Sequence, residues 1–440
     1  MNERRRSMSV TIAIAVFIIS YIFIMSEKIN RALVALAGGV LLLLTGVYGW
    51  EDAVTSYIDW HTVALLFAMM VLVAITKKTG VFSYIAIWLA KVVNGQPIPL
   101  MVGIGFLTAV GSALLDNVTT VLLFVPVILT LTNLLQLPSL PYLITIILTA
   151  NIGGTATLIG DPPNIMIGQA VPHLTFISFL QHTAPIAALL FVLVMIILCF
   201  LFRKQLKKID DNRIQELMKM EEASYLVKSP LLYQSLSILT LTITGFLLHP
   251  VFHIDLTIIA LCGAILLLVI SEKEVEAEAV FQQVEWVTLF FFIGLFMLVG
   301  GLEEVGVIDE LARSIMWLTE GDMTYTALLL LWVSGIFSGI VDNIPFVAAM
   351  IPVIKEFETY GMANLDPLWW SLALGACLGG NGTLIGASAN VVVAGLAEAQ
   401  NKKIAFVKFM LYGIPVVILS LIIATIYIYF RYLLPFQQPL

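Results

Sequence analysis

The chain has 440 residues, of which 60% are hydrophobic and only 12% are charged, and its mean hydropathy is +1.01. Because soluble globular proteins carry about 25% charged residues, this composition excludes a water-soluble enzyme or nucleic-acid-binding domain and indicates a chain embedded in the bilayer. The net charge of −7 indicates little about partners, since a membrane protein sorts its charges between two aqueous sides.

Apolar segments of about 20 residues, the length that crosses the hydrocarbon core, recur along the whole chain. The first, Met8–Met25, follows a basic stretch but lacks a small-residue cleavage site, so we predict a retained span. In chain order the first half predicts spans near 9–26, 31–48 and 61–77, an amphipathic stretch near 79–93, a helical hairpin at 97–135, a broken helix at 139–172 and a span near 176–202.

The second half repeats the first at one fixed offset of 226 residues. Asp116-Asn117 falls on Asp342-Asn343, and the octapeptide at 153–160 falls on the one at 379–386. Chance apolar similarity does not hold both motifs in one register, so we interpret the chain as a duplication. The predicted bounds are 8–203 for repeat 1, 204–230 for a solvated cytoplasmic linker and 231–430 for repeat 2, with a hairpin at 323–361 and a broken helix at 366–398.

The number of crossings in each copy predicts how the copies are oriented. Each copy crosses five times if the hairpin is re-entrant and seven times if both arms span, and either odd number makes the repeats inverted. We predict an all-α polytopic membrane fold of two inverted repeats, each with five spans, a re-entrant helical hairpin and a broken helix. The side with the linker receives 16 of the 22 Lys and Arg residues, so the positive-inside rule places the linker in the cytoplasm and both termini outside. The basic run at 4–6 opposes this orientation.

Each copy carries a helix break deep in an apolar region, at 153–163 and at 379–382. Non-helical backbone at membrane depth is tolerated only against protein or a wet cavity, and broken helix ends expose groups that bind ions. We therefore predict an ion or substrate site at the breaks, with structural kinking as the alternative. The predicted binding residues are Asp116, Asn117, Gly153, Gly154, Thr155, Thr157, Asp161, Asn164, Asp342, Asn343, Gly379, Gly380, Asn381, Thr383, Ser388 and Asn390.

Asp116 and Asp342 are the main ionisable candidates in this set. A carboxylate at membrane depth costs a few kcal/mol or more, so its default interpretation is functional. The structural alternative is that each carboxylate caps a hairpin bend by accepting hydrogen bonds from backbone N–H groups. Asp161 has Ala387 as its equivalent in copy two, which argues against two chemically equal sites. The Asn and Thr residues supply neutral oxygens, with interhelical hydrogen bonding as their alternative role.

These motifs resemble those of a known superfamily. The segments 115–120, 151–164, 342–345 and 378–390 resemble the ArsB/NhaD branch of the ion transporter superfamily, and within it the permeases similar to the P protein, with a CitMHS-like transporter domain. The likeness covers nearly the whole chain. It implies a homodimeric, elevator-type transporter whose mobile domain contains both hairpins and both broken helices.

The hairpin tips depart from one branch of this superfamily. The related dicarboxylate carriers place Ser-Asn-Thr at each tip, where sodium binds, whereas the tips here read Asp-Asn-Val at 116–118 and Asp-Asn-Ile at 342–344. Two added carboxylates would repel a dianion. The resemblance therefore fits proton or sodium coupling, with sodium at either Asp-Asn pair, or efflux of neutral arsenite, better than dicarboxylate transport.

The sequence thus predicts a secondary active transporter in the cell membrane that moves a small inorganic ion or solute, coupled to protons or sodium. Efflux of arsenite or another anion is one candidate activity, and Na⁺/H⁺ antiport is the alternative. A dicarboxylate carrier, a passive channel and an intramembrane aspartyl protease are less favoured. We expect no enzyme activity and no cofactor beyond the coupling ion. A Walker A motif is absent from the sequence, although a separate ATPase partner is not excluded by this.

The spacing of Cys199, Cys262 and Cys377 predicts neither a disulfide framework nor a zinc site.

Overall fold

The computed structural model describes residues 3–26, 28–206 and 209–434, and every regular element within these ranges is a helix. The prediction of an all-α polytopic fold is confirmed. Residues 1–2, 27 and 435–440, and Lys207-Lys208 in the linker, are outside the described part of the chain. The external position of both termini therefore stays a prediction.

Within the described residues, the first copy contains eleven α-helices. They are α1 Glu3–Ser26, α2 Arg31–Leu44, α3 Trp50–Asp52 with a π-helical turn Ala53–Tyr57, α4 Trp60–Lys78, α5 Val81–Val92, α6 Pro97–Leu114, α7 Asn117–Leu134, α8 Ser139–Thr155, α9 Pro162–Ala170, α10 Phe176–His182 and α11 Ala184–Phe202. The linker follows, with α12 Asp211–Lys219 and a 3₁₀ turn Glu222–Tyr225.

The second copy contains ten α-helices in the part that the structure describes. They are α13 Pro230–Phe252, α14 Leu256–Ser271, α15 Ala277–Phe281, α16 Trp286–Glu304, α17 Val307–Leu318, α18 Met323–Ile340, α19 Asn343–Thr359, α20 Asp366–Gly379, α21 Ser388–Ala399 and α22 Phe406–Ile428, which ends in a π-helical turn Tyr429–Leu433. Helices α16, α17 and α18 begin and end 226 residues after α4, α5 and α6. The repeated sequence therefore also has repeated helix ends.

Nine helices among the described residues are long and apolar enough to cross a membrane, judged by length and composition. They are α1, α4, α6, α7, α11, α13, α16, α18 and α22, the last with its π-helical end. Five shorter apolar helices, α2, α5, α8, α14 and α21, accompany them. The chain is therefore a multi-pass membrane protein.

Capping residues and glycines set where these helices begin. Asp59 accepts hydrogen bonds from the backbone N–H groups of His61 and Thr62, at 3.0 and 3.2 Å, at the start of α4. Gly80 and Gly306 precede α5 and α17 with φ of +73° and +81°, a left-handed conformation that costs other residues about 1–2 kcal/mol. Both copies thus enter the amphipathic helix through the same backbone conformation.

Each hairpin packs along the broken helix of its own copy, α6 against α8 and α18 against α20. Glycines permit this approach, because a Cβ at Gly153 would overlap the backbone of Ala109 and a Cβ at Gly379 would overlap the backbone of Gly335. The two copies interlock, since α7 contacts α21 and α19 contacts α9. A second group of helices forms where α2 packs on α16 and α14 packs on α4.

Three predicted segments differ from the structure. The span predicted near 176–202 is divided at Thr183, because Pro185 in the first turn of α11 cannot continue a preceding helix. The span predicted at 31–48 ends as a helix at Leu44, and Gly46 then turns the chain with φ of +69°. The linker is not a solvated loop throughout, because it forms α12 and fully buries Leu217.

Candidate functional site at the hairpin tips and helix breaks

Both broken helices are interrupted inside the protein. In copy one α8 ends at Thr155 and α9 begins at Pro162, and in copy two α20 ends at Gly379 and α21 begins at Ser388. The residues between these ends are buried or half-buried. Each break therefore places non-helical backbone against protein, where its polar groups can find partners.

One asparagine in each copy satisfies the backbone of the break. The side-chain amide of Asn164 donates to the carbonyl oxygen of Thr157 at 2.9 Å, and the amide of Asn390 donates to the carbonyl of Thr383 at 2.9 Å. Each amide also reaches the carbonyl of a glycine at the end of the preceding helix, at 3.3 and 2.7 Å. These carbonyls belong to the groups that a helix end leaves without intrahelical partners. The amide nitrogens thus have the structural role of stabilising the break.

The hydroxyl groups of the breaks also bind backbone. Thr155 donates to the carbonyl of Asn151 at 2.8 Å, and Thr157 donates to the carbonyl of Ala113 in the first hairpin at 2.5 Å. The hydroxyl of Thr383 accepts from the backbone N–H of Ile385 at 3.3 Å. These contacts fix the shape of the breaks and the position of the first hairpin.

The carboxylate of Asp116, at the first hairpin tip, is capped by its own helix. One oxygen accepts from the backbone N–H of Thr119 at 2.7 Å, and the other accepts from the Thr119 hydroxyl at 2.5 Å. The neighbouring Asn117 donates to the side chain of Asn151 at 3.3 Å. The side-chain oxygen of Asn117 is buried and has no hydrogen-bond partner in the part of the chain that the structure describes. Asp116 is therefore a helix cap that lies beside an oxygen free to bind a ligand.

Asp342, at the second tip, accepts hydrogen bonds from three elements. Oδ1 accepts from the backbone N–H of Ile344 at 3.2 Å. Oδ2 accepts from Nη1 of Arg31 at 2.7 Å and from the hydroxyl of Ser388 at 2.6 Å. The side chains of Arg31 and Asp342 are only 26% and 11% exposed. The second tip is thus joined by an ion pair to α2 and by a hydrogen bond to α21.

Asp161, in the first break, contacts the second copy. Both of its carboxylate oxygens accept from the side-chain amide of Asn343, at 3.3 and 3.2 Å, and the residue is fully buried. A buried carboxylate costs several kcal/mol unless a cation or a proton neutralises it. This contact brings the first break and the second hairpin into one site.

A chain of asparagine side chains connects the two breaks. Asn151, near the end of α8, donates to the side-chain oxygens of Asn381 and Asn390 at 3.0 and 2.9 Å. Cys377 occupies the position equivalent to Asn151 in copy two, and its thiol lies 3.4 Å from the side-chain oxygen of Asn164. Each copy therefore contacts the other at the same pair of positions.

A cavity of about 360 Å³ lies beside the second tip. The polar part of its lining comes from Asn30, Arg31, Glu285, Asp342 and Ser388. Glu285 interacts electrostatically with Asp116, and Asp161 interacts with both Asp116 and Asp342. Two carboxylates, Glu285 and Asp342, and one guanidinium group thus line the cavity, and Asp116 and Asp161 lie within electrostatic range of these carboxylates. This excess of negative charge favours a cation.

The structure brings the predicted Asp and Asn residues together and adds three that sequence reasoning missed, Arg31, Asn151 and Cys377. The four predicted glycines contribute close packing of backbone. Asn151 had a usable signal, since it lies two residues before the Gly-Gly motif of copy one. Cys377 could have been found from its equivalence to Asn151. Arg31 is a lone charge at the start of an apolar run, but its partner lies 311 residues away.

The described residues contain no group of three or more His, Cys, Asp or Glu side chains that could hold a metal ion. Cys199, Cys262 and Cys377 are free thiols. The ionisable groups of the site among the described residues are therefore carboxylates, one guanidinium and the thiol of Cys377.

Residues 21–375 match the family model described as a citrate transporter, CitMHS. An uncharacterised transporter of Mycobacterium tuberculosis is 40% identical over 426 residues, which cover 96% of this chain and 98% of that protein. The human P protein is 33% identical over 507 residues, which cover 95% of this chain but 59% of that protein.

A solved structure has the same fold. The YdaH transporter of Alcanivorax borkumensis superposes with a TM-score of 0.59 over 99% of both chains, at 15% sequence identity. At this identity the likeness concerns the fold alone. The match of the family model to most of the chain confirms the resemblance to the ion transporter superfamily, and the chain belongs to the citrate transporter (CitMHS) family of membrane transporters.

Proposed function

We propose that this transporter is a secondary active carrier of a small inorganic ion or solute, coupled to a proton or sodium gradient. The proposal rests on a cluster of four carboxylates: Glu285 and Asp342 line a cavity together with one guanidinium group, and Asp116 and Asp161 interact electrostatically with them. Buried carboxylates in such excess are stable only when cations or protons bind to them. Binding from one side of the membrane and release to the other couples the site to a gradient.

The charge of the site also limits the cargo. Citrate, named in the description of the family, carries three carboxylate groups that the excess carboxylates of the site repel unless cations bind first. Arsenite in its neutral form has no such repulsion. We propose efflux of neutral arsenite, or of a small anion paired with a cation, as the transport activity. Na⁺/H⁺ antiport is the second candidate, because the same carboxylates can bind the cation as cargo.

We propose further that the hairpins and broken helices move as one body against the group formed by α2, α4, α14 and α16. The tight packing of α6 on α8 and of α18 on α20 supports one rigid body. An odd number of crossings in each copy supports an inverted arrangement of the two repeats. The family resemblance supports a homodimer, and the distribution of Lys and Arg supports a cytoplasmic linker.

The test is transport by purified protein in proteoliposomes under an imposed pH or sodium gradient, with arsenite, sodium and small anions as cargo. Asp116→Asn and Asp342→Asn should each lower gradient-driven flux at least tenfold. Asp322→Asn is the matched control, because Asp322 is an exposed helix cap that accepts from Tyr325 at 2.9 Å, away from the site. Full flux in both tip variants would refute the assigned role. Movement of sodium and protons alone would favour the antiporter.

A further inference from the structure

The two hairpin-tip carboxylates stand at equivalent positions but have different partners. Asp116 accepts both of its side-chain hydrogen bonds from Thr119, within its own hairpin. Asp342 accepts from its own helix only through the N–H of Ile344, and its second oxygen binds Arg31 and Ser388 on two other helices. The first tip is thus satisfied locally, whereas the second is satisfied across a contact between elements.

Three substitutions between the copies account for this difference. Thr119 is replaced by Pro345 in copy two, which removes both donors that cap Asp116. Ser388 replaces Pro162 and supplies a hydroxyl to Asp342 from the broken helix. Arg31 has Thr257 as its equivalent, so copy two supplies no matching cation to Asp116. The asymmetry is therefore encoded in the sequence at three separate positions.

The guanidinium group of Arg31 is fixed in place from several directions. Its Nη1 lies 2.7 Å from Asp342 and 2.6 Å from the hydroxyl of Ser388. The group also lies over the ring of Phe291 on α16, 4.8 Å from the ring centroid. Because an arginine side chain keeps its charge at every physiological pH, this positive charge is permanent. A sodium ion at the same oxygen of Asp342 would meet a like charge at contact distance.

We propose that Arg31 serves as a permanently bound cation at Asp342. At the equivalent residue of copy one, Asp116, an exchangeable cation binds instead. The two tips together then bind one exchangeable cation, and Asp116 with the unpartnered side-chain oxygen of Asn117 provides its site. The inference deepens the proposed function by assigning the coupling cation to one of two equivalent positions. It makes Arg31 the residue that sets the number of coupling ions.

Other ionisable groups act on this pair and are held constant by the experiment. Tyr21 on α1 and Asp161 in the first break interact with Asp342, and Glu285 at the start of α16 interacts with Arg31. Glu285 interacts in turn with Asp116 and Lys77. All of these groups are present in both the parent protein and the Arg31 variant. A difference between these two proteins therefore reports on Asp342.

The test is the thermal unfolding of purified full-length protein in detergent, titrated with NaCl against choline chloride at constant ionic strength, and repeated at pH 6 and pH 9. The slope of melting temperature against log[Na⁺] reports how many sodium ions bind the folded state. In Arg31→Met this slope should rise about two-fold, or a new stabilisation at pH 6 should appear if a proton is the occupant. Arg313→Met, on the exposed face of α17, is the control and should leave both responses unchanged.

Further variants decide the outcome even where one of them unfolds. The double variant Arg31→Met with Asp342→Asn should lose the new response, because the freed carboxylate is gone. In the Arg31-containing protein, Asp116→Asn should abolish sodium stabilisation, whereas Asp342→Asn should retain it. The proposal is overturned if Arg31→Met gains neither response, or if the double variant keeps it. A different result is that wild-type protein gives no flux in proteoliposomes while Arg31→Met still gains an Asp342-dependent cation response. That result would contradict the proposed function but support the assignment of Arg31 as the cation at Asp342.

Discussion

Asn151 donates from its side-chain amide to the side-chain oxygen of Asn390 at 2.9 Å and so joins the broken helix of one copy to that of the other. The pair equivalent by the 226-residue offset is Cys377 and Asn164, which face each other at 3.4 Å. An amide is a good donor and a thiol a weak one. The contact between the copies therefore joins equivalent positions on both sides but with unequal strength.

Replacing Asn151 should destabilise the protein more than replacing its equivalent. Asn151→Ala leaves the side-chain oxygens of Asn381 and Asn390 without this donor, at a cost of about 1–3 kcal/mol. Cys377→Ala removes a thiol, which is a weak donor, and should cost less. Thermal unfolding of both variants in the same detergent measures the difference. Equal losses of stability would show that the asparagine network does not hold the breaks together.

Asp161 should show a conflict between stability and transport. Asp161→Asn removes a fully buried charge while keeping an oxygen that accepts from Asn343, so the free energy of unfolding should rise by about 1 kcal/mol or more. Gradient-driven flux in proteoliposomes should fall at least tenfold. Asp210→Asn, at an exposed cap in the linker, is the control for neutralising an aspartate. A variant that loses both stability and flux would indicate that the carboxylate is structural.

The hairpins and breaks could be predicted from sequence because their signals are local. Gly-Gly pairs and Asp-Asn tips mark where helices end, and the 226-residue offset presents both marks twice. The dual nature of Asp116, a helix cap inside a polar site, was also open to sequence reasoning. Its Thr119 stands three residues on, where a capping oxygen finds its donor.

The partners of Asp342 could not be predicted in the same way. Arg31 and Ser388 lie on helices far along the chain, and no local pattern specifies which hairpin they face. The docking of the linker was missed for a related reason. Its charged composition is typical of a solvated loop, and only tertiary packing shows that Leu217 is buried against Gly95. Long-range pairing therefore decides the features that make the two copies unequal.

The linker is held to α5 by a charged contact that should depend on pH in one direction. Lys91 donates to Glu222 and to the carbonyl of Met220, the latter at 3.0 Å. The hydrogen bond from Lys91 lowers the pKa of Glu222 below its ordinary value of 4.5. Because the pKa is lower in the docked state, the contact is fully present above about pH 4.5 and weakens as the pH falls through the lowered value.

Glu222→Gln should therefore remove the ion pair with Lys91 and, with it, the weakening of linker docking at acid pH. Hydrogen exchange of residues 211–226, corrected for the intrinsic rate at each pH, measures how firmly the linker is docked. The variant should exchange about two- to three-fold faster at pH 7, since an exposed ion pair contributes little. Glu221→Gln, at the neighbouring exposed carboxylate, is the control. Wild-type exchange that speeds up between pH 9 and pH 5 would contradict the direction given by the lowered pKa.

The turn before α5 should tolerate a side chain far less than its equivalent in copy two. Gly80 and Gly306 both have positive φ, so an alanine at either position costs about 1–2 kcal/mol of backbone strain. At Gly80, however, a Cβ would also overlap the carbonyl oxygen of Tyr225 in the linker, whereas nothing lies within 4 Å of a Cβ at Gly306. Gly80→Ala should therefore also displace the linker and break the hydrogen bond from Val227 N–H to the carbonyl of Thr79, 2.9 Å long.

Because the backbone strain is common to both variants, Gly306→Ala is a matched control for Gly80→Ala. We expect Gly80→Ala to melt at the lower temperature and to be cut several-fold faster by protease between residues 209 and 228. Gly306→Ala should lose only the shared strain and keep the wild-type cleavage rate. Identical cleavage of the two variants would mean that the linker does not rest on this turn, and the buried position of Leu217 would then have to be held by α12 alone.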